Sequence, residues 1–221
     1  MGSASSEFGK DLGLMHELAV TGRKVGFIPE DWGILAHSEE LLLQVLDVVC
    51  GQADIAKKPN CLLELVSTVV IPARSTPFVA RNKFVLGTNA TAPVKISHFS
   101  KNFTDWFLGK TEEPLPEQTL RYAKLGQISL DGSIIAELGG EEKAETTLSE
   151  LLSLMEGQKN GEDGPLLSNG WWNIFYIKDC NCVLRTVYVY WFDGGWCVDA
   201  SSTGSPFTWR AGFRVFSRNS C

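Results

Sequence analysis

Residues 171–202 read Trp171-Trp-Asn-Ile-Phe-Tyr-Ile-Lys-Asp-Cys180-Asn-Cys-Val-Leu-Arg-Thr-Val-Tyr-Val-Tyr190-Trp-Phe-Asp-Gly-Gly-Trp-Cys-Val-Asp-Ala200-Ser-Ser202. Three runs rich in aromatic and β-branched residues are separated by two polar turns, 179–182 and 193–195. Such runs favour strands, and Asp-Gly between them is a strong hairpin signal. The stretch predicts an antiparallel meander, with a fourth strand expected around Phe213 and Phe216. Neighbouring strand residues point to opposite faces. One of Trp171 and Trp172 is therefore expected in the core, and the other covered by a further layer or exposed as a contact.

Upstream of the meander the pattern turns helical. Thr147-Leu-Ser-Glu150 is a capping box, followed by Leu148, Leu151, Leu152 and Met155 on one face. That helix is expected to pack on the sheet. Nearer the N-terminus, Pro29 before Glu30 and Asp31 suits a first helical turn. Ser38 and Gly51 bracket a helix whose stripe Leu42, Val45, Leu46 and Val49 predicts a buried face, with Cys50 as a small core residue. Asn60 is expected to cap a short helix over residues 61–67. Residues 66–71, 78–86, 94–99, 119–125 and 127–130 read as strands, Asp131-Gly132 as a turn, and 100–108 and 133–138 as short helices.

Together these readings predict an α+β protein: a helical N-terminal part followed by an antiparallel β-meander packed against a helix. Thr111-Glu-Glu-Pro-Leu-Pro reads as a loop and a hinge, because two prolines in three residues do not fit inside regular structure. It separates a mostly helical part with short strands (residues 7–110) from an α+β part (residues 117–219), unless both belong to one domain.

Composition narrows the function classes. In 221 residues, 20 Lys+Arg stand against 26 Asp+Glu, a net charge of −6, with 44% hydrophobic residues. This is the make-up of a folded domain, and the acidic balance disfavours nucleic acid as partner. No apolar run reaches the roughly 18–20 residues of a membrane helix, and the N-terminus lacks a secretory signal's basic and apolar regions. A cytoplasmic location, free thiols and no membrane contact are the expectation.

No catalytic motif stands out. Cys180, Cys182 and Cys197 could ligate zinc only with a fourth ligand such as His98, and their spacing is not the usual one. No metal and no cofactor is expected. Cys197 with His98 could form a nucleophile–base pair, yet nothing in the sequence brings them together. Asp193 and Asp199 flank Trp196 as possible paired acids, although Asp193 before Gly-Gly suits a tight turn. Glu112-Glu113 reads as solvated acids. Arg210, Arg214 and Arg218 recur every four residues and would share one face of a strand. With Trp172, Tyr190, Trp196 and Trp209 they make the expected binding surface.

Three segments carry a resemblance: Trp106-Phe-Leu-Gly-Lys-Thr-Glu-Glu-Pro-Leu-Pro-Glu-Gln-Thr-Leu-Arg-Tyr122, Ser153-Leu-Met-Glu-Gly-Gln-Lys-Asn-Gly-Glu-Asp-Gly164 and Arg214-Val-Phe-Ser-Arg-Asn219. They resemble a family of uncharacterised hypothetical proteins common in reduced-genome candidate-phylum bacteria. The resemblance spans about residues 80–220 and implies no activity, substrate or site. Cys180-Asn-Cys182 stands where the family pattern implies an Asp/Gly turn.

The reading these observations favour is an intracellular, non-enzymatic binding or interaction domain whose aromatic and arginine-rich sheet meets another protein. The alternative is a small hydrolase using Cys197 or the acids near Trp196.

Overall fold

The computed structural model describes residues 4–24, 28–52 and 61–218. The chain divides into two compact units, Met1–Pro59 and Asn60–Cys221. The fold is α+β, and no helix among the described residues is long and apolar enough to cross a membrane.

The first unit holds helices α1 (Ala4–Lys24), α2 (Pro29–His37) and α3 (Glu39–Val49). Pro29 opens α2, and Ser38 caps α3 by accepting the Leu41 N–H at 3.2 Å. Gly22 lies under the Trp32 indole. The stripe expected to be buried is not. No residue of α3 is buried within this unit, and Leu42, Val45, Leu46, Val49 and Cys50 are all exposed.

The second unit contains, in chain order, β1 (Leu63–Ile71), β2 (Phe78–Val79), α4 (Ala80–Lys83), β3 (Ile96–Phe99), α5 (Lys101–Phe107), β4 (Thr111–Glu112) and β5 (Gln118–Leu125). There follow α6 (Asp131–Glu137), α7 (Glu141–Ala144), β6 (Glu145–Thr146), α8 (Leu148–Gly157), β7 (Asn173–Lys178), β8 (Leu184–Phe192), β9 (Gly195–Ser202) and β10 (Arg214–Arg218). Asn60, the expected cap, lies outside the described residues. The helix expected over 61–67 is instead the start of β1, where Val66, Thr68, Val69, Val70 and Ile71 favour a pleated strand. Residues 78–86 turn helical after two strand residues, and Asp131-Gly132 opens α6 rather than a turn.

The large sheet runs β1-β5-β10-β7-β8-β9-β3, with β6 also pairing β7. β7, β8 and β9 form the expected antiparallel meander. Asp193 (φ 49°) and Gly194 (φ 77°) make the two-residue turn into β9, the primed geometry whose twist matches the strands. The fourth strand departs from expectation. β10 does not extend the meander but inserts between β7, to which it is parallel, and β5, to which it is antiparallel. Residues 111–116, read as a hinge, lie inside this unit, because β1 before them pairs along its length with β5 after them.

Each face of the sheet has its own core. On one face Phe175, Ile177, Val187, Val189, Trp196, Val198 and Phe216 pack with Leu148, Leu151, Leu152 and Met155 of α8 and Phe103 and Phe107 of α5. On the other, Ile174, Tyr176, Leu184 and Val215 pack with Ile134 of α6, Ala144 of α7, Trp209 and Phe213.

The α8 N-terminus is fixed by two carboxylates. Thr147 Oγ1 accepts the Glu150 N–H at 3.2 Å, and the Glu150 carboxylate accepts the Thr147 N–H at 2.7 Å, completing the capping box. Glu112 is not a solvated acid. It is buried, accepts the Leu148 and Ser149 N–H groups at 3.0 and 2.9 Å, and pairs with Lys110 Nζ at 2.9 Å. Helix N–H groups without internal partners favour an anion here. Glu112→Ala leaves those N–H groups and Lys110 uncompensated. It is expected to lower the unfolding free energy by about 3 kcal/mol in chemical denaturation, whereas Glu113→Ala should change it little.

Candidate functional site

The second face of the sheet ends in an aromatic cleft. Asn173, wholly buried at the start of β7, pins the approach to it. Its Oδ1 accepts the Leu167 N–H at 2.7 Å, and its Nδ2 donates to the Leu167 and Val189 carbonyls at 3.0 and 3.1 Å. Next along, Trp172 stacks on Tyr188 (4.8 Å between centroids), Tyr190 (5.6 Å), Phe207 (5.8 Å) and Phe213 (5.3 Å). The floor is Trp209, edge-on to Trp172 and Tyr188. A buried carboxylate holds that floor in place: Asp131 Oδ1 accepts Trp209 Nε1–H at 2.8 Å and the Tyr176 hydroxyl at 3.0 Å.

Trp171 forms the wall. Its ring lies so close over Gly212 that a Cβ there would meet it at 2.7 Å, and φ of +98° independently favours glycine at that position. On one side of Trp171 is a cavity of about 460 Å³ lined by Asn169, Trp172, Phe207, Arg210 and Phe213. On the other is a depression of about 510 Å³ that includes Glu64, Lys124 and Asn169. Both volumes are in the range that holds a small molecule or an inserted side chain. Trp171 and Phe207 are 43% and 47% exposed, large apolar surface for a folded protein to leave in water.

Of the residues expected from sequence, Trp172, Tyr190 and Arg210 belong to this face, half-buried in the first two cases and exposed in the third. The other four are placed elsewhere. Trp196 is fully buried on the opposite face, its Nε1 donating to the Gln158 carbonyl at 3.0 Å. Trp209 is equally buried and serves as floor. Arg214 and Arg218 do share a face of β10, but it is the α8 face. Arg214 donates to the Gly164 and Pro165 carbonyls and lies 5.2 Å over the Tyr122 ring, and Arg218 sits 3.5 Å from the buried Glu150 carboxylate. Insertion of β10 into the middle of the sheet places these arginines, half-buried, on the α8 face. Phe207 and Phe213 join the cleft without a sequence signal that marks them, and Trp171 is the exposed member of its pair. The pair Trp171-Trp172 lies in the loop before β7, which begins at Asn173, with Trp172 packed against the core of this face and Trp171 exposed.

Beyond Tyr190 the same face carries a polar cluster. Parallel pairing of β3 with β9 sets His98 opposite Cys197, a juxtaposition that sequence alone did not supply. His98 Nε2 is 3.9 Å from Asp199 Oδ1, and Ser97 Oγ is 3.5 Å from Cys197 Sγ. Tyr190 stands opposite Cys197 in the β8–β9 ladder, on the same face as Asp199. Burial pushes the Asp199 carboxyl up, opposed by His98, Ser100 and Tyr190. Burial, followed by the Asp199 charge, raises Tyr188 to about 12.

The other constellations come apart. Asp193 lies at the hairpin tip, six residues and about 20 Å of strand from Asp199, too far for an acid pair across a glycosidic bond. Cys180 and Cys182 adjoin the Lys178–Leu184 end of the hairpin, whereas Cys197 pairs with Tyr190, about 20 Å further along β8. Among the described residues no group of three His, Cys, Asp or Glu side chains could hold a metal ion. Comparison of the chain with protein-family models, curated proteins and solved structures finds no match.

Burial pushes the Asp131 carboxyl above its ordinary 3.8, with the Trp209 and Tyr176 donors opposing the shift. The folded state thus favours the neutral acid. That contribution to stability is complete below about pH 4 and is lost as pH rises through the native pKa. Asp131→Asn keeps an acceptor for both donors without the charge. Its unfolding free energy relative to wild type, measured by urea titration at several pH values, should rise as pH increases from about 4. A difference independent of pH would contradict this.

Proposed function

We propose that this is a binding domain, and that its cleft takes an acidic segment of another protein carrying an aromatic anchor. The reading rests on one observation: the exposed Trp171 indole packs over Gly212 and lines two depressions, one with Arg210 and the other with Lys124 beside Glu64. A fixed aromatic wall offers contact area at little entropic cost. The anchor enters between Trp171, Phe207 and Phe213, and its acidic neighbours meet the basic side chains. A partner of this chemistry accords with binding at the loop end of the sheet, not on the β10 arginines.

A second reading, a hydrolase, has its own support in the placement of His98 and Asp199 beside Cys197. Cys197 would be the nucleophile, His98 the base and Asp199 its orienting acid. Cys197 is only 5% exposed, however, and its thiol lies against Ser97.

Titration with short peptides that place tryptophan beside two glutamates, followed by tryptophan fluorescence, separates the readings. Binding should weaken at least tenfold in Trp171→Ala and in Arg210→Glu, and persist in Cys197→Ser. Equal affinity in Trp171→Ala and wild type would refute the cleft as the binding site.

A further inference from the structure

A second chemical feature lies at the opposite end of the β7–β8 hairpin, apart from the cleft. Its turn is built around Asp179. The carboxylate, with no exposed side-chain surface, accepts the Asn181 and Val183 N–H groups at 2.8 and 3.0 Å and Arg185 Nε–H at 2.9 Å. Arg185 is in turn stacked 4.3 Å over Trp106. The backbone is closed by Cys182 N–H to the Asp179 carbonyl at 3.1 Å, and anchored by Cys180 N–H to the Trp106 carbonyl at 3.1 Å. This rigid loop presents two free, exposed thiols, Cys180 and Cys182.

Cys182 has φ of +60°. Hairpin loops of this kind place glycine at the left-handed position, where a Cβ is disfavoured. The chain thus carries a thiol where conformation alone calls for glycine, one residue beyond another exposed thiol. Two residues of chain separate Cα atoms by at most about 7 Å, and a turn shortens that into the roughly 4.4–6.8 Å spanned by disulfides.

We propose that Cys180 and Cys182 form a redox-active dithiol that exchanges with disulfide-bearing substrates. One thiol loses its proton to solvent, and the thiolate attacks a sulfur of the substrate disulfide. The mixed disulfide forms, and the other substrate sulfur leaves as a thiolate that takes up a proton. The second cysteine, deprotonated in turn, attacks the protein sulfur of the mixed disulfide and releases the remaining substrate thiol. Overall the protein dithiol is oxidised by two electrons to an internal disulfide, and the substrate disulfide is reduced to two thiols. Dithiothreitol or another dithiol reverses the cycle.

The full chain, reduced and then equilibrated without oxygen in graded mixtures of reduced and oxidised dithiothreitol, would be trapped with N-ethylmaleimide and digested with trypsin. Cleavage after Lys178 and Arg185 releases residues 179–185, which contain both thiols and no other cysteine. This peptide should pass reversibly from two maleimides to none, with loss of two hydrogens, as the oxidised fraction rises. In 2-hydroxyethyl disulfide, Cys180→Ser or Cys182→Ser should hold the mixed disulfide that wild type resolves. Cys182→Gly, suited to the φ of the turn, should retain the circular dichroism of wild type and never form the internal bridge. Two maleimides at every ratio, bridges only between chains, or no mixed disulfide in either single serine variant would each overturn the proposal.

Discussion

The second face of the sheet depends on one buried carboxylate. Asp131 joins α6 to the centre of β7 through Tyr176, and to the segment before β10 through Trp209. Burying a carboxylate costs several kcal/mol, and charge-assisted hydrogen bonds from an indole and a phenol offset roughly 1.5–3 kcal/mol each. Burial outweighs these donors, since the carboxyl is pushed above its ordinary 3.8. Its consequence is geometric: Trp209 has one position, and Trp172, Tyr188, Phe207 and Phe213 pack against it. The cleft inherits its shape from that contact.

The opposite face is organised by charge at the α8 N-terminus. Glu112 and Glu150 are both buried there, and the Glu112 charge, after burial, disfavours ionisation of Glu150. Helix N–H groups, Lys110 and Arg218 compensate them. Because Arg218 belongs to β10 and Glu112 to β4, this cluster ties together chain segments a hundred residues apart. It also explains the inward turn of the arginines, which serve the core and leave Arg210, outside β10, on the cleft rim.

Local signals survived intact. The box Thr147-Leu-Ser-Glu150, the Ser38 cap, the Pro29 start and the Asp193-Gly194 turn each involve residues three or fewer apart, so their chemistry is written in adjacent letters. What could not be read was non-local. Nothing around Arg214 states that β10 will pair with both β5 and β7, and that pairing decides which way its arginines face. Nothing around His98 states that it will lie opposite Cys197. Glu112 looks like any charged pair member until the helix that it caps is in place. The stripe on α3 shows the converse: periodicity specified a helix correctly, but not whether another element covers it.

In the proposed function the cleft walls, not the sheet arginines, meet the partner. The most direct measurement is the ¹⁹F spectrum of protein carrying 5-fluorotryptophan at its seven tryptophans, with and without an acidic tryptophan-containing peptide. Shifts are expected at Trp171 and Trp172, with Trp196 and Trp191 unmoved. Shifts led by Trp196 and Trp191, or none at Trp171, would contradict it.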